Sequence, residues 1–306
     1  MVSKLVLVAS NPCETAAGAL YSALNAKARV EVLQISSIKS LDENQVAAMQ
    51  GEHNETLMIG TYWINKLPLF VQCFPNVSFV VLCPGSPTTL TSECKYENVK
   101  FVYDSNPCAF VLQLAEDEGE SETCVRLIRK VFKNAIQMID DRFNFRNVDI
   151  NQPFFTGIFN VENTADNISL LDKFYNFFQG RYDEEELTKQ GRAILNAQMM
   201  MAKERVINNS KQVQLKDGTK AVMTEASELV NLTHDALHNK YPESVVTLVV
   251  GIKFGTKMSQ EDELSYSIRS FNPSVVNAQS LAQAIGGDGT KTTAGGRVGI
   301  HITCPF

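Results

Sequence analysis

Eleven residues near the C-terminus could bind an anion: they run Gly-Gly-Asp-Gly-Thr-Lys-Thr-Thr-Ala-Gly-Gly, from Gly286 to Gly296. Glycine has no Cβ and tolerates positive φ, so a glycine-rich backbone can approach a ligand closely. Successive backbone N–H groups in such turns form anion-binding concavities, to which a lysine adds a point charge. The competing interpretation is a flexible turn without a ligand. The residues predicted to bind a ligand are Gly286, Gly287, Gly289, Thr290 and Lys291.

Arg269 precedes this loop and ends a predicted strand, Leu264–Arg269. A guanidinium group suits the bidentate capture of a phosphate or carboxylate group. The alternative is a surface arginine that pairs with one of the nearby acids Glu261, Asp262 and Glu263, a contact worth little free energy. We favour the ligand-binding interpretation for Arg269.

Three acidic residues are candidates for holding a divalent cation: Asp104, Asp140 and Asp141. Asp104 follows a predicted strand, whereas Asp140 and Asp141 close a predicted helix at its negative end, an unfavourable position for carboxylates without a partner. The alternative for Asp104 is a turn residue that accepts a hydrogen bond from its own backbone. The alternative for Asp140 and Asp141 is local pairing with Arg142. We favour these alternatives, and we expect no cofactor, or at most one Mn²⁺ or Mg²⁺ ion.

Three cysteines, Cys13, Cys83 and Cys108, each follow or end a predicted strand and would lie at one edge of a parallel sheet. Thiolates gathered there could bind a soft metal or carry out redox chemistry. Cysteine also serves as a small buried residue, and we favour that interpretation.

Two histidines, His234 and His238, have the i, i+4 spacing of a metal-binding helix. No third ligand is evident in the sequence. We therefore expect exposed histidines on an amphipathic helix.

The composition is that of a globular protein: 306 residues, 44% hydrophobic and 20% charged, with a net charge of −6. The negative charge argues against a protein that coats nucleic acid through bulk electrostatics. No apolar stretch approaches the 18 residues of a membrane span, so we expect no membrane partner. Seven scattered cysteines suggest reduced thiols rather than a disulfide framework. A cytoplasmic location is therefore expected.

The first half of the chain alternates apolar strands with helices, which predicts a parallel sheet covered on both faces. The predicted strands are Leu5–Ala9, Arg29–Ile35, Val77–Cys83 and Val99–Asp104. The predicted helices are Ala16–Lys27, Asp42–Gln50, Thr56–Lys66 and Ser121–Asp141.

A long polar helix, Asp183–Asn209, is predicted to connect this half to a second block of different composition. The elements predicted there are a hairpin of Gln212–Leu215 with Lys220–Met223, the helices Glu225–Asn239 and Asn277–Ile285, and the strands Ser244–Lys253, Leu264–Arg269 and Arg297–Ile302. The predicted fold class is α/β, with a parallel-sheet domain over 1–182, a connector helix over 183–210 and a smaller mixed α/β domain over 211–306.

The C-terminal third resembles the DHH-associated domain of DHH-family phosphoesterases. That family shows Ser-Leu-Arg-Ser, a helix and then Gly-Gly-Gly-Gly-His-Lys-x-Ala-Ala-Gly, and the matching residues here are Arg269, Lys291, Ala294 and Gly295. The residues that depart from the pattern are Ile268, Asp288, Thr290 and Thr293. Ile139-Asp140-Asp141-Arg142 resembles a family segment that carries a metal-binding acid. The resemblance implies that Arg269 and the glycine loop contact the nucleotide or nucleic-acid end of a substrate.

The catalytic half departs from the family pattern. The Asp-His-His motif falls on Val102–Asn106, where both histidines are absent, and the first motif falls on Ser10–Gly18, where Glu14 is the only acid. A second strand-end Asp would fall near Leu82. Two divalent metals at close range need several carboxylate or imidazole ligands. The resemblance therefore implies a DHH-type fold with too few ligands for a two-metal site.

We favour a catalytically inactive DHH phosphoesterase-like protein that binds a phosphorylated ligand or a protein partner in its interdomain cleft. The ligand would be a phosphorylated small molecule, such as a nucleotide, or an oligonucleotide end. One alternative is an active metal-dependent phosphoesterase or exonuclease that uses Asp104 with Asp140 or Asp141. Another is a structural assembly protein on the same fold, and a homodimer stays open.

Overall fold

The fold is described from a computed structural model, which places residues 3–9, 11–25, 29–35, 38–49, 53–83, 96–119, 122–144, 146–161, 168–215, 218–226, 229–253 and 262–300. The chain divides into two compact units, Met1–Arg192 and Ala193–Phe306. Each unit contains its own β-sheet, and the predicted α/β class is confirmed.

The first unit contains a five-stranded sheet in which every neighbouring pair is parallel. Its strands are β1 (Ser3–Ala9), β2 (Arg29–Ile35), β3 (Glu55–Ile59), β4 (Ser78–Cys83) and β5 (Val99–Tyr103). The order is β2-β1-β3-β4-β5, so the direction of winding reverses between β1 and β3. In open parallel sheets, ligands bind beyond the carboxyl ends of the strands at such a reversal.

Helices cover both faces of this sheet. They are α1 (Pro12–Leu24), α2 (Glu43–Ala47), α3 (Leu67–Cys73), α4 (Pro107–Asp117), α5 (Glu122–Val131), α6 (Lys133–Phe143), α7 (Val148–Phe159) and α8 (Leu170–Phe178). Residues of α1 and α4 to α8 form one apolar core, while α2, α3 and the buried Trp63 contribute to the core on the opposite face.

The predicted helix Thr56–Lys66 is wrong, because its first residues form the central strand β3. Leu57 and Ile59 enter the core under α1, whereas Met58 enters the core on the other face. The apolar run Leu57-Met58-Ile59 is therefore buried on both sides of the sheet. Three consecutive apolar residues give no periodicity that separates strand from helix.

The predicted helix Ser121–Asp141 is two helices, α5 and α6, which meet at Phe132. The backbone leaves helical geometry there, with φ −102° and ψ 22°. The ring of Phe132 packs edge-on against Phe177 and Phe178 of α8, with ring centres 5.1 and 5.5 Å apart. Tertiary packing of one aromatic ring thus accompanies a break that the apolar periodicity does not reveal.

The long helix α9 (Glu184–Asn209) begins in the first unit and ends in the second, as expected for a connector. Its first half crosses α7 at backbone contact distance. A Cβ atom on Gly191 would lie 1.8 Å from the carbonyl oxygen of Pro153, and one on Gly157 would lie 1.9 Å from that of Leu187. The two glycines therefore permit the crossing.

The second unit contains a six-stranded mixed sheet in the order β10-β11-β9-β8-β7-β6. Its strands are β6 (Lys211–Gln214), β7 (Lys220–Glu225), β8 (Val246–Lys253), β9 (Asp262–Ser270), β10 (Asp288–Gly289) and β11 (Thr293–Ile300). Only β7 and β8 are parallel among these pairs. Helix α10 (Val230–Lys240) packs with the end of α9 on one face, and α11 (Ala278–Gln283) packs on the other.

Two predicted boundaries in this unit change by four residues or more. The predicted helix Glu225–Asn239 begins only at Val230, because β7 continues to Glu225. The last strand begins at Thr293, four residues before its predicted start at Arg297. Its predicted end at Ile302, like Asp217 of the predicted hairpin turn, lies outside the described residues. In the described part of the chain, no helix is long and apolar enough to cross a membrane.

Candidate functional site

The glycine loop begins as the C-terminal cap of α11. Gly286 has φ 81°, and its N–H donates to the carbonyl of Gln283, while the N–H of Gly287 donates to the carbonyl of Ala282 at 2.8 Å. This pair of bonds is the Schellman arrangement, which favours glycine at its left-handed position. The glycine at 286 is therefore explained by helix termination.

The next two glycines permit close packing inside the second unit. A Cβ atom on Gly287 would lie 2.2 Å from the Tyr266 hydroxyl oxygen, and one on Gly289 would lie 2.4 Å from the Cα of Ala294. Gly289 also has φ 155°. The fold itself thus requires these glycines, and their contact with a ligand stays a prediction.

A row of hydroxyl groups occupies the turn between β10 and β11. Thr290 Oγ1 lies 3.2 Å from Thr292 Oγ1, which lies 3.4 Å from Thr293 Oγ1. The turn is closed by the N–H of Thr290, which donates to the carbonyl of Thr293 at 2.7 Å. Lys291 is exposed at the tip. We call Thr290, Thr292 and Thr293 the threonine strip.

Arg269 lies beside this strip. It is the cross-strand partner of Thr293, so the two side chains project from the same face of the sheet. Its Nη1 donates to Asp235 Oδ1 at 2.5 Å, and its Nη2 donates to Asn231 Oδ1 at 3.1 Å. The acidic partner of Arg269 is thus on α10. Of the acids named from the sequence, Asp262 and Glu263 lie at the opposite end of β9, and Glu261 lies outside the described residues.

The expectation of exposed histidines on α10 is wrong. His234 is fully buried, with Nδ1 2.6 Å from Thr247 Oγ1 and Nε2 2.9 Å from Ser267 Oγ. Burial, together with the charge of Arg269, lowers the pKa of His234 to about 4. His238 stacks on Phe271 with ring centres 3.7 Å apart. Both histidines thus pack α10 on its sheet. The buried ring of His234 is satisfied by hydroxyl groups on β8 and β9.

Of the predicted metal ligands in the first unit, Asp104 follows β5, whereas Asp140 and Asp141 lie on α6. Asp104 Oδ1 accepts a hydrogen bond from the N–H of Asn106 at 2.8 Å, which is the turn interaction expected as the alternative. Asp140 accepts from the N–H groups of Cys108 and Ala109 at 2.9 and 3.3 Å. Asp140 therefore caps the N-terminus of α4 from another helix.

Burial raises the pKa of Asp140 to about 6, with smaller contributions from Asp104 and Asp141, although the two backbone N–H donors oppose the shift. The structure thus brings Asp104 and Asp140 close enough to interact. Each of the two carboxylates already has another role, since Asp140 caps a helix and Asp104 closes a turn.

Asp141 is satisfied by other donors. Asn147 and Gln137 each donate to it at 2.9 Å, and Arg146 lies 3.6 Å away. The Asn147 hydrogen bond is the main cause of its lowered pKa. The predicted pairing with Arg142 is wrong, because Arg142 donates to Gln152 and lies over the Phe155 ring. The partners of Asp141 come from α6 itself and from the turn after it.

The carboxylates do not fit a two-metal centre. In the part of the chain that the structure describes, no three His, Cys, Asp or Glu side chains are grouped so that they could hold a metal ion. Both oxygens of Asp140 and one of Asp104 already accept backbone hydrogen bonds. A single weakly held cation stays a prediction.

Glu14 has an environment that the sequence does not reveal. It lies in the first turn of α1, is 98% buried, and presses its carboxyl group against Gly60, which follows β3. Its Oε2 accepts no hydrogen bond from the described residues. Burial raises the pKa of Glu14 to about 7. A buried acid with one unpartnered oxygen therefore lies where the winding of the sheet reverses.

The three strand-end cysteines do not share one environment. Cys13 and Cys108 enter the core under α1, whereas Cys83 enters the core on the other face. Burial raises the pKa of Cys13 to about 12 and that of Cys83 to about 11, and it also raises the pKa of Cys108. Buried thiols of this kind are poor nucleophiles. They fill space, which is the interpretation that we favoured.

No protein-family model and no curated protein sequence matches the chain. Among solved structures, it is similar to the pGpG-specific phosphodiesterase PggH from Vibrio cholerae, with a TM-score of 0.49 and 12% identity over 98% of this chain and 93% of that one. It is also similar to exonuclease RecJ bound to manganese, with a TM-score of 0.47 and 11% identity over 96% and 85% of the chains. A third is CDC45 from Entamoeba histolytica, with a TM-score of 0.49 and 8% identity over 97% and 92%.

Likeness at this level concerns the course of the chain and carries no information on its chemistry. The similar solved structures include one described as a DHH domain, the family that the glycine loop resembles. Structures of DHH-family phosphoesterases are among those that this chain resembles.

Proposed function

We propose that the chain binds a phosphorylated ligand, a nucleotide or a nucleic-acid end, on the second unit and does not hydrolyse it. The observation that carries this proposal is the threonine strip beside Arg269. Hydroxyl groups and a guanidinium group are donors that phosphoryl oxygens accept from.

The guanidinium group of Arg269 keeps donors for a ligand. It has five N–H groups, of which Asp235 and Asn231 each use one. The side chain is 23% exposed, and the exposed ammonium group of Lys291 lies at the tip of the adjoining turn. These cations and the strip together supply charge and directional hydrogen bonds.

Absence of turnover is proposed because the candidate metal ligands already have partners. Asp140 caps α4, Asp104 closes its own turn, and Asp141 is held by Asn147 and Gln137. A carboxylate that binds a metal would have to give up these donors. Hydrolysis of a phosphoester by a metal site also needs an activated water, for which a single weakly held ion is a poor source.

Binding is tested by titrating the protein with thymidine 5′-monophosphate and with thymidine in a calorimeter. We expect the phosphorylated compound to bind and thymidine to bind at least tenfold more weakly, since a charge-assisted hydrogen bond contributes about 1.5–3 kcal/mol. R269A should lose this preference and K291A should weaken it, whereas K220A, an exposed lysine on β7, serves as the matched control. Equal binding of the two compounds would overturn the proposal.

The second candidate function is a metal-dependent phosphoesterase, which the proximity of Asp104 and Asp140 favours. The probe is thymidine 5′-p-nitrophenyl phosphate, measured with about 1 mM Mn²⁺ and again with about 1 mM EDTA. We expect no release of p-nitrophenol in either case and no Mn²⁺-dependent rise in melting temperature. Manganese-dependent release that D104N abolishes would establish the second candidate instead.

A further inference from the structure

Two residues of α10 hold the guanidinium group of Arg269. Asn231 and Asp235 are four residues apart, so they lie on the same side of the helix, and both accept hydrogen bonds from Arg269. The Asp235 carboxylate is 44% exposed and the Arg269 side chain 23% exposed. The pair therefore lies at the surface, where an approaching anion meets both charges.

His234 fixes the helix at this point of the sheet. Thr247, which accepts or donates at His234 Nδ1, is the cross-strand partner of Arg269 on β8. Ser267, at His234 Nε2, lies two residues before Arg269 on β9 and projects from the same face. Because His234 is fully buried, Asp235 beside it has little freedom to leave Arg269.

We infer that Asp235 is a specificity-determining residue, which orients the guanidinium group of Arg269 and makes the site prefer a singly charged phosphodiester to a doubly charged terminal phosphate. This inference rests on the proposed function, since it concerns the same ligand site.

The charges around the threonine strip carry the preference. Two cations, Arg269 and Lys291, and one anion, Asp235, leave a single net positive charge, which one negative charge on a ligand compensates. Asp288 is held by Gln279 and Gln283 of α11, which packs on the opposite face of the sheet from α10, and is not counted here. A phosphodiester needs only the hydrogen bonds of Arg269 and the hydroxyl groups. A second negative charge on the ligand meets the carboxylate of Asp235 without a compensating cation.

The test compares two probes that differ by one methyl group: thymidine 5′-monophosphate and its monomethyl ester. At pH 8 the first carries about two negative charges, since its second pKa is about 6, and the second carries one. The wild-type protein should bind the ester about threefold more tightly, the effect expected for one unit charge several ångströms away in a solvated site. D235N should bind the monophosphate at least as tightly as the ester.

The preference should also depend on the charge of the ligand. At pH 5 the monophosphate carries about one negative charge, so the wild-type preference for the ester should disappear. A residue that only supports the fold would leave this pH profile unchanged between wild type and D235N. D235E keeps the charge and should keep the preference at pH 8. D149N removes an exposed acid of α7 in the first unit and is the matched control.

The outcomes separate the two proposals. If neither probe binds, or if R269A binds both as the wild type does, the proposed function fails. If both probes bind through Arg269 and the ratio of their affinities is the same in D235N, the proposed function stands and the role of Asp235 is wrong. A melting curve for D235N that matches the wild type shows that the comparison is made between folded proteins.

Discussion

The carboxyl group of Glu14 lies on the backbone of Gly60, so close that a Cβ atom on Gly60 would be 2.5 Å from Glu14 Oε1. Glu14 follows β1 and Gly60 follows β3, the two strands between which the winding of the sheet reverses. The contact therefore joins the first turn of α1 to the end of the central strand. It places an acid with an unpartnered oxygen in the interior of the first unit.

Replacing Gly60 by alanine should destabilise the first unit by about 3–4 kcal/mol, because the new methyl group meets Glu14 and because φ is +114°. G119A is the matched control: Gly119 has φ +82°, and a Cβ atom there would meet nothing within 4 Å. It should cost only about 1–2 kcal/mol. Urea unfolding monitored by Trp63 fluorescence measures both. Equal losses would show that Glu14 moves aside at no cost.

Glu14 should make stability fall as the pH rises. Its pKa is about 7 in the folded chain and 4.5 as the ordinary value. The folded state therefore binds more protons than the unfolded state between these values, and the free energy of unfolding decreases with pH across this window. The loss between pH 4 and pH 8 should be about 3 kcal/mol, since one unit of pKa corresponds to about 1.4 kcal/mol.

Glu14→Gln tests this assignment because the amide does not titrate. Relative to wild type, the variant should gain stability steadily from pH 5 to pH 8, whatever its offset at pH 5. Asp140 titrates in the same range in both proteins and cancels in the difference. A difference in unfolding free energy that is flat with pH would mean that the buried carboxyl group does not take up a proton on folding.

Gly191→Ala should destabilise the protein by about 3 kcal/mol or more, because the methyl group would meet the carbonyl oxygen of Pro153. Alanine is the better helix former by about 1 kcal/mol, so a gain in stability is expected if the two helices are not in contact. K189A, at an 82% exposed position two residues earlier in α9, is the control for an ordinary helical substitution. The melting temperatures of the two variants decide between these outcomes.

The sequence by itself determined the α/β class, the long connecting helix and the positions of most strands along the chain. Apolar runs such as the one in β1 end at Asn-Pro pairs, and both proline-led helices, α1 and α4, begin there. These signals are local: they depend on the backbone preferences of a few neighbouring residues. The residue pattern of the glycine loop also indicated the DHH-type resemblance.

Local signals failed where the secondary structure depends on burial on both sides of the sheet or on a contact with a distant residue. Strand β3 was predicted as a helix because a strand covered on both faces has no alternation. The break at Phe132 accompanies packing of that ring on α8. Neither fact is contained in a window of ten residues.

The site shows the same division. The sequence predicted Arg269, Lys291 and the glycine loop as ligand-binding residues, since these residue types suit phosphate, and their binding of a ligand stays a prediction. Only the tertiary structure decided that Gly287 makes room for Tyr266, that Asp235 holds Arg269 and that Asp140 caps α4. Each of these partners lies more than 20 residues away in the chain, so no local pattern specifies them. Packing assigns partners to polar groups, because a buried donor or acceptor must be satisfied by whatever the fold brings beside it.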